Sequence, residues 1–251
     1  MILSGKEMFF LEVLMSSASV AVPPPQVRHQ GPPLGMLAVV WTVLFCAGLA
    51  AVIGGSPRFP RPEEPASAVT AFFLARTNAV LVCSWLQFGA AMVLGIFTAS
   101  AVNQMRFLGV RAAGVNIALF GGFTASMLGV AAALAMWTLT RPGIAGDPSL
   151  ASALYSLDFG LAGVGYSAPA GLLIAGIAIT AGFSRLLPKW LVVSGIVLAV
   201  CGELSSLTLI FPKLVFLIPL TRFPGFLWLI AAGFALPRKT KVRRAGSELA
   251  S

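Results

Sequence analysis

The chain has 251 residues, 58% of them hydrophobic and only 10% charged, with 17 Lys and Arg against 8 Asp and Glu for a formal charge of +9. Its mean hydropathy is +0.92, and a soluble domain, in which about a quarter of residues are usually charged, cannot hide that much apolar surface. The excess cations flank apolar runs instead of alternating with aromatics along a stripe, which excludes a nucleic-acid-binding domain and points to membrane-orienting charges.

In chain order, residues 1–33 read as a poorly ordered N-terminal extension. "MILSGKEMFFLEVLMSSASVAV" mimics a signal peptide, but Glu12 interrupts its apolar stretch. "VPPPQVRHQGPP" (22–33) is a semi-rigid proline-rich spacer. Six apolar runs of about 20 residues follow, each long enough to cross a ~30 Å hydrocarbon core. They are Leu34–Gly54, Ala79–Ser100, Ala113–Thr138, Phe159–Phe183, Trp190–Phe211 and Leu214–Leu236. Backbone polar groups in lipid must satisfy one another, so each run is expected to be a helix. The expected fold is all-α, a polytopic transmembrane bundle of six helices over 34–237, followed by a basic cytoplasmic tail over 238–251. Between the first two spans, the prolines of "SPRFPRPEEP" (56–65) exclude helix, and 66–77 is expected to lie in the interface.

A cytoplasmic N-terminus places eleven cations on the inner side (Lys6, Arg28, Arg106, Arg111, Arg185, Lys189, Arg238, Lys239, Lys241, Arg243 and Arg244). Five are left outside (Arg58, Arg61, Arg76, Arg141 and Lys213), with Arg222 inside a span. The bias sets both termini in the cytoplasm.

Small residues recur at four-residue spacing in the third span (Ala118, Gly122 and Ser126; Ala125, Gly129 and Ala133) and the fourth (Gly163, Ser167, Gly171 and Ala175). Small residues one turn apart let helix backbones approach closely, which in lipid replaces the missing hydrophobic drive. Pro169 cannot donate its amide and leaves the Gly165 carbonyl unpaired, so span four is expected to kink there or to begin outside the core.

The polar residues inside the spans carry whatever chemistry the chain has. Arg222 and Glu203 each lie eight residues from the outer ends of the last two spans, ~12 Å deep at 1.5 Å per residue. Sequential spans joined by a short turn are antiparallel neighbours, and a charge in lipid requires a partner. A Glu203–Arg222 ion pair is therefore expected, and Glu203→Gln would then cost several kcal/mol by stranding the arginine. Gln87, Ser206 and Thr221 fall at a similar level. Asp158 lies slightly shallower, where it reads either as a member of a polar cluster or as an N-cap at the water interface. Tyr155, Trp137, Trp190 and Trp228 fit an interfacial aromatic belt. Cys46, Cys83 and Cys201 have neither the pairing nor the spacing of a disulfide framework or zinc site. His29 is the single histidine and lies outside every span. No metal or other cofactor is implied.

"SRLLPKWLVVSGIVLAV" (184–200) and "RFPGFLWLIAAGFALP" (222–237), taken with the six-span layout, resemble bacterial six-helix integral membrane proteins grouped as a domain of unknown function. The resemblance covers spans two to six and implies the fold and a bacterial inner-membrane setting. It carries over no catalytic or binding residue.

Three functional readings follow. In the first, the polar cluster organises a non-enzymatic membrane protein whose contacts are the lipid bilayer, with protein partners or a homo-oligomer left open. In the second, Glu203 is the titrating group of a small-solute or proton-coupled transporter, against which stand inner half-spans that are apolar apart from Asn116. In the third, the chain is an intramembrane enzyme acting on lipid, although HExxH, GxSxG and Walker-type motifs are all missing from the sequence. A sealed ion pair favours the structural reading, and a wet cavity beside it favours binding of a solute or lipid.

Overall fold

The computed structural model describes residues 26–61 and 63–241. The expected extension over 1–33 and tail over 238–251 therefore lie largely outside the described residues. Of them, Gln26–Arg28 (β1) and Lys239–Lys241 (β2) form a two-stranded antiparallel ladder with Val27 opposite Thr240. Residues 29–238 form a separate compact unit.

That unit is helical. α1 spans Leu34–Ile53, α2 Ala66–Ala75, α3 Thr77–Phe107, α4 Ala113–Thr138 and α5, a single turn, Pro142–Ala145. α6 spans Pro148–Ala162, α7 Val164–Phe183, α8 Lys189–Leu204 and α9 Leu217–Ala235, with two 3₁₀ segments, Ser205–Leu209 and Pro212–Phe216, between the last two. Six stretches among the described residues are long and apolar enough to cross a membrane, with α6 and α7 together making the fourth. The protein is an all-α bundle of membrane-spanning helices. The outward faces of these helices carry Trp85, Phe120, Val193 and Leu227 at 74%, 64%, 61% and 70% exposure. Apolar side chains exposed on every side of a bundle need lipid around them.

The spans form a closed ring. α1 packs on α3, α3 on α4, α4 on α7, α7 on α8, α8 on α9 and α9 back on α1. An even number of crossings returns the chain to the end where it began, and there the His29 amide donates to the Arg238 carbonyl at 2.8 Å. The other end, called distal below, carries the 54–65 loop, α2, α5 and the 3₁₀ segments.

Close packing holds at Gly171 of the expected series, where a Cβ would stand 3.0 Å from the Ala199 carbonyl oxygen. It is tighter at glycines outside those series: a Cβ on Gly121 would stand 2.5 Å from the Pro169 carbonyl oxygen, one on Gly176 2.5 Å from that of Gly114, and one on Gly202 2.9 Å from that of Ser167. Backbones this near leave no room for a side chain. Ser126 additionally donates to the Ala91 carbonyl of α3 at 2.8 Å.

The fourth span breaks earlier than Pro169. The interruption falls at Gly163 (φ −80°, ψ −96°), between α6 and α7, and α7 carries Pro169 within one continuous helix. α6 begins at Asp147, whose carboxylate accepts from the Ser149 and Leu150 amides at 2.9 and 3.1 Å, with Pro148 at the first helical position. Asp147, not Asp158, is thus the N-cap. Asp158 lies eleven residues into α6, 4% exposed.

Candidate functional site

The ring encloses a cavity of about 220 Å³ in its distal half, lined from α1, α3, α4, α6, α7 and α9. Its walls are mostly apolar. Trp41, Phe45 and Phe159 supply aromatic surface, and Ala91, Ala125 and Gly129 of α3 and α4 keep side-chain bulk out of the space. Its polar lining residues include Gln87, Asp158 and Arg222, with Cys83, Tyr155 and Tyr166.

Arg222 owes its place to the break in the fourth span. A helix that stops leaves its last carbonyls without amide partners, and its C-terminal end carries partial negative charge. The Arg222 guanidinium reaches across from α9 and donates through Nη2 to the Ala162 carbonyl, the last residue of α6. It also lies 4.4 Å from the ring centre of Tyr166 and 5.1 Å from that of Phe45, where ring faces stabilise a desolvated cation. The guanidinium and the Asp158 carboxylate attract one another across the cavity, but no nitrogen–oxygen approach between them comes within 4.0 Å. Among the described residues, Asp158 makes no side-chain hydrogen bond, and the buried Arg222 Nε has no acceptor.

The expected Glu203–Arg222 ion pair is not formed; the one ion pair among the described residues joins Arg58 and Glu64 at 2.8 Å. α8 stops at Leu204 instead of running to Phe211, and the chain tightens into 3₁₀ turns. Glu203 thus occupies the last turn of its helix. Gly202 is the residue pressed against α7 there, and the exposed Glu203 lies one step further round, its Oε1 3.3 Å from the Cβ position of Gly171. Equal depth on neighbouring helices did not mean facing sides. Glu203→Gln is accordingly expected to change stability by less than about 0.5 kcal/mol, measured by equilibrium unfolding in bilayer nanodiscs. A loss of several kcal/mol would restore the sequence-based pair.

The other expected members of the cluster separate. Gln87 reaches the cavity and donates to the Phe45 carbonyl at 3.2 Å, tying α3 to α1. Thr221 is buried beside Arg222 in the chain, its hydroxyl without a partner. Ser206 is exposed and donates to the Glu203 carbonyl at 2.6 Å, away from the chamber.

Two residues assigned to an aromatic belt are interior. Trp228 is buried and donates from Nε1 to the Leu191 carbonyl at 2.7 Å. Tyr155 lines the cavity, and its hydroxyl donates to the Pro60 carbonyl at 2.6 Å. Phe59 stacks edge-on against Tyr155 and Phe72, with ring centres 5.9 and 5.3 Å away. Phe59 thereby brings the loop after α1 to the cavity wall, with Phe72 of α2 packed behind it. Among the described residues, no three His, Cys, Asp or Glu side chains gather as metal ligands would.

Comparison with known proteins identifies no family: no family model, no curated protein and no solved structure matches this chain.

Proposed function

We propose that the protein is a membrane-embedded binding protein that holds a small, largely apolar molecule in the chamber between Asp158 and Arg222. One observation carries this reading: Asp158, 4% exposed and without a side-chain hydrogen bond among the described residues, lines the same mostly apolar cavity as the Arg222 guanidinium. A charge pair that served only to pin two helices would close into direct contact and satisfy its remaining donors and acceptors, because leaving them open in a low dielectric is costly. Here the two groups stand more than 4.0 Å apart and line one mostly apolar cavity. A carrier that titrates Glu203 finds no support in this geometry, since α8 contributes nothing to the lining.

Eleven basic residues on one side against five on the other favour cytoplasmic termini in a bacterial inner membrane. The chamber then lies in the half of the bundle toward the outer leaflet.

The test uses full-length protein in nanodiscs and naphthalene as an apolar probe, with protein-free nanodiscs as the control for simple partitioning. The wild-type chain is expected to show saturable quenching of tryptophan fluorescence, Trp41 being in the wall, at one site per chain. Ala133→Trp, which fills the space from α4, is expected to abolish the saturable part. Identical, unsaturable partitioning by both proteins would contradict the reading.

A further inference from the structure

At the end of the bundle opposite the distal one, two helices terminate in the same way with different residues. After α3 the Val110 amide donates to the Met105 carbonyl at 3.1 Å and the Gly109 amide to that of Arg106 at 3.0 Å, with Gly109 at φ 84°. After α7 the Leu186 amide donates to the Ala181 carbonyl at 2.8 Å and the Arg185 amide to that of Gly182 at 3.0 Å, with Arg185 at φ 53°. Such a paired-bond stop needs one left-handed residue, and glycine is the usual choice because a Cβ is strained there. α3 follows that rule. α7 carries an arginine where glycine would cost less, and a costly backbone conformation points to a use for the side chain it carries.

The packing gathers more cations around Arg185. The Thr180 hydroxyl of α7 lies 3.7 Å from the Met105 sulfur of α3, and a Cβ on Gly114 of α4 would collide with the Thr180 methyl. Val110 and Leu187, one from each connecting turn, are buried in the same core cluster. The ends of α3 and α7 and the starts of α4 and α8 thus share one corner, from which Arg106, Arg111, Arg185 and Lys189 all emerge exposed. Arg106 donates to the Asn116 side-chain oxygen at 2.9 Å. The described acids, Glu63, Glu64, Asp147, Asp158 and Glu203, all belong to the distal half, so among the described residues no carboxylate balances these four charges. Like charges held together repel one another, and an anion placed among them removes that cost.

What surrounds the corner selects the anion. Phe183 and Trp190, on either side of the α7–α8 turn, are exposed to the lipid, so the ligand that fits carries a negative head for the cations and an acyl chain for the rings beside them. We propose that this corner is a docking surface for the headgroup of an anionic phospholipid, with Arg111 and Arg185 as its principal contacts. The guanidinium fork suits a phosphate, and juxtamembrane basic clusters are attracted to anionic leaflets.

The test places full-length protein in phosphatidylcholine nanodiscs with a fixed fraction of either phosphatidylglycerol or phosphatidylcholine brominated in the upper part of its chains. Bromine quenches nearby tryptophan, and the part of the quenching lost in Trp190→Phe reports this corner. The wild-type chain is expected to prefer phosphatidylglycerol there at least about fivefold, the gain for one lysine or arginine at an anionic surface. Arg111→Gln combined with Arg185→Gly should bring the preference to within about twofold of one, while Lys213→Gln, the same loss of charge at the distal end, leaves it unchanged. Arg185→Gly alone should melt higher than wild type in phosphatidylcholine, because the left-handed turn is then unstrained. Equal quenching by the two lipids on the wild-type chain overturns the proposal, even where the double variant fails to fold. A preference that survives the double variant, or that Lys213→Gln lowers as much, overturns it in favour of overall charge. A lower melting temperature for Arg185→Gly overturns the assignment of Arg185.

Discussion

Arg222→Ala is expected to be the most damaging single substitution in the bundle, costing about 3–5 kcal/mol, the range found when one partner of a buried charge pair is removed. Three consequences act together. The Ala162 carbonyl at the end of α6 loses its donor, the faces of Tyr166 and Phe45 lose their cation, and Asp158 is left in the interior without its counter-charge. Arg222→Lys retains the charge but not the planar fork that reaches a carbonyl and lies over a ring at once, so it should recover only part of the loss. Equilibrium unfolding in nanodiscs measures both. A loss below about 1 kcal/mol for the alanine variant would mean that the guanidinium caps nothing of consequence.

Gly176→Ala carries the second large effect. In a helix without neighbours the added methyl would stabilise by about 0.8–1 kcal/mol through propensity alone. Here it would lie 2.5 Å from the Gly114 carbonyl oxygen and 2.6 Å from the Ala118 amide nitrogen, both backbone atoms of α4. Neither is the end of a side chain that can swing away, so α4 and α7 must separate along a shared interface. A net loss of about 2–3 kcal/mol follows, at the upper end of ordinary overpacking costs. Gly129→Ala provides the comparison. Its nearest neighbour, the Ala91 Cβ, is 3.2 Å away, and its effect should be under about 1 kcal/mol. Equal effects at the two positions would refute close backbone packing of α7 on α4 at Gly176.

Much of the fold was legible because it depends on local physics. Ala113–Thr138 was placed to the residue, since a long apolar run between a Gly-Val-Arg turn and a Thr-Arg-Pro turn has little freedom in where to start and stop. The fourth span was misplaced at its start, although Asp147 followed by Pro148 is a readable N-cap and first-turn pair. Reading it would have put Asp158 three turns inside the helix instead of at the water interface. The break at Gly163 carried no such signal. Pro169 offered a stronger local reason to bend, but α7 tolerates it, and the ladder yields where Arg222 can take up a freed carbonyl.

The candidate site was less legible. That Arg222 needed a partner was clear from its neighbours in the sequence, but which partner depended on helix phase. Depth follows from counting residues, whereas facing follows from the angle accumulated around each axis. The switch to 3₁₀ turns after Leu204 changes that angle by an amount no apolar run reveals. The chamber is further removed still, since it exists only where six segments leave space among alanines and glycines that in one dimension look like packing residues.

The most direct test of the central claim, that Arg222 answers to Asp158 across the chamber and not to Glu203, is a pair of double-mutant cycles read by equilibrium unfolding in nanodiscs. Asp158→Asn with Arg222→Gln is expected to give a coupling of about 1–3 kcal/mol, and Glu203→Gln with Arg222→Gln one within about 0.5 kcal/mol of zero. Strong coupling to Glu203 with additivity at Asp158 would contradict the account.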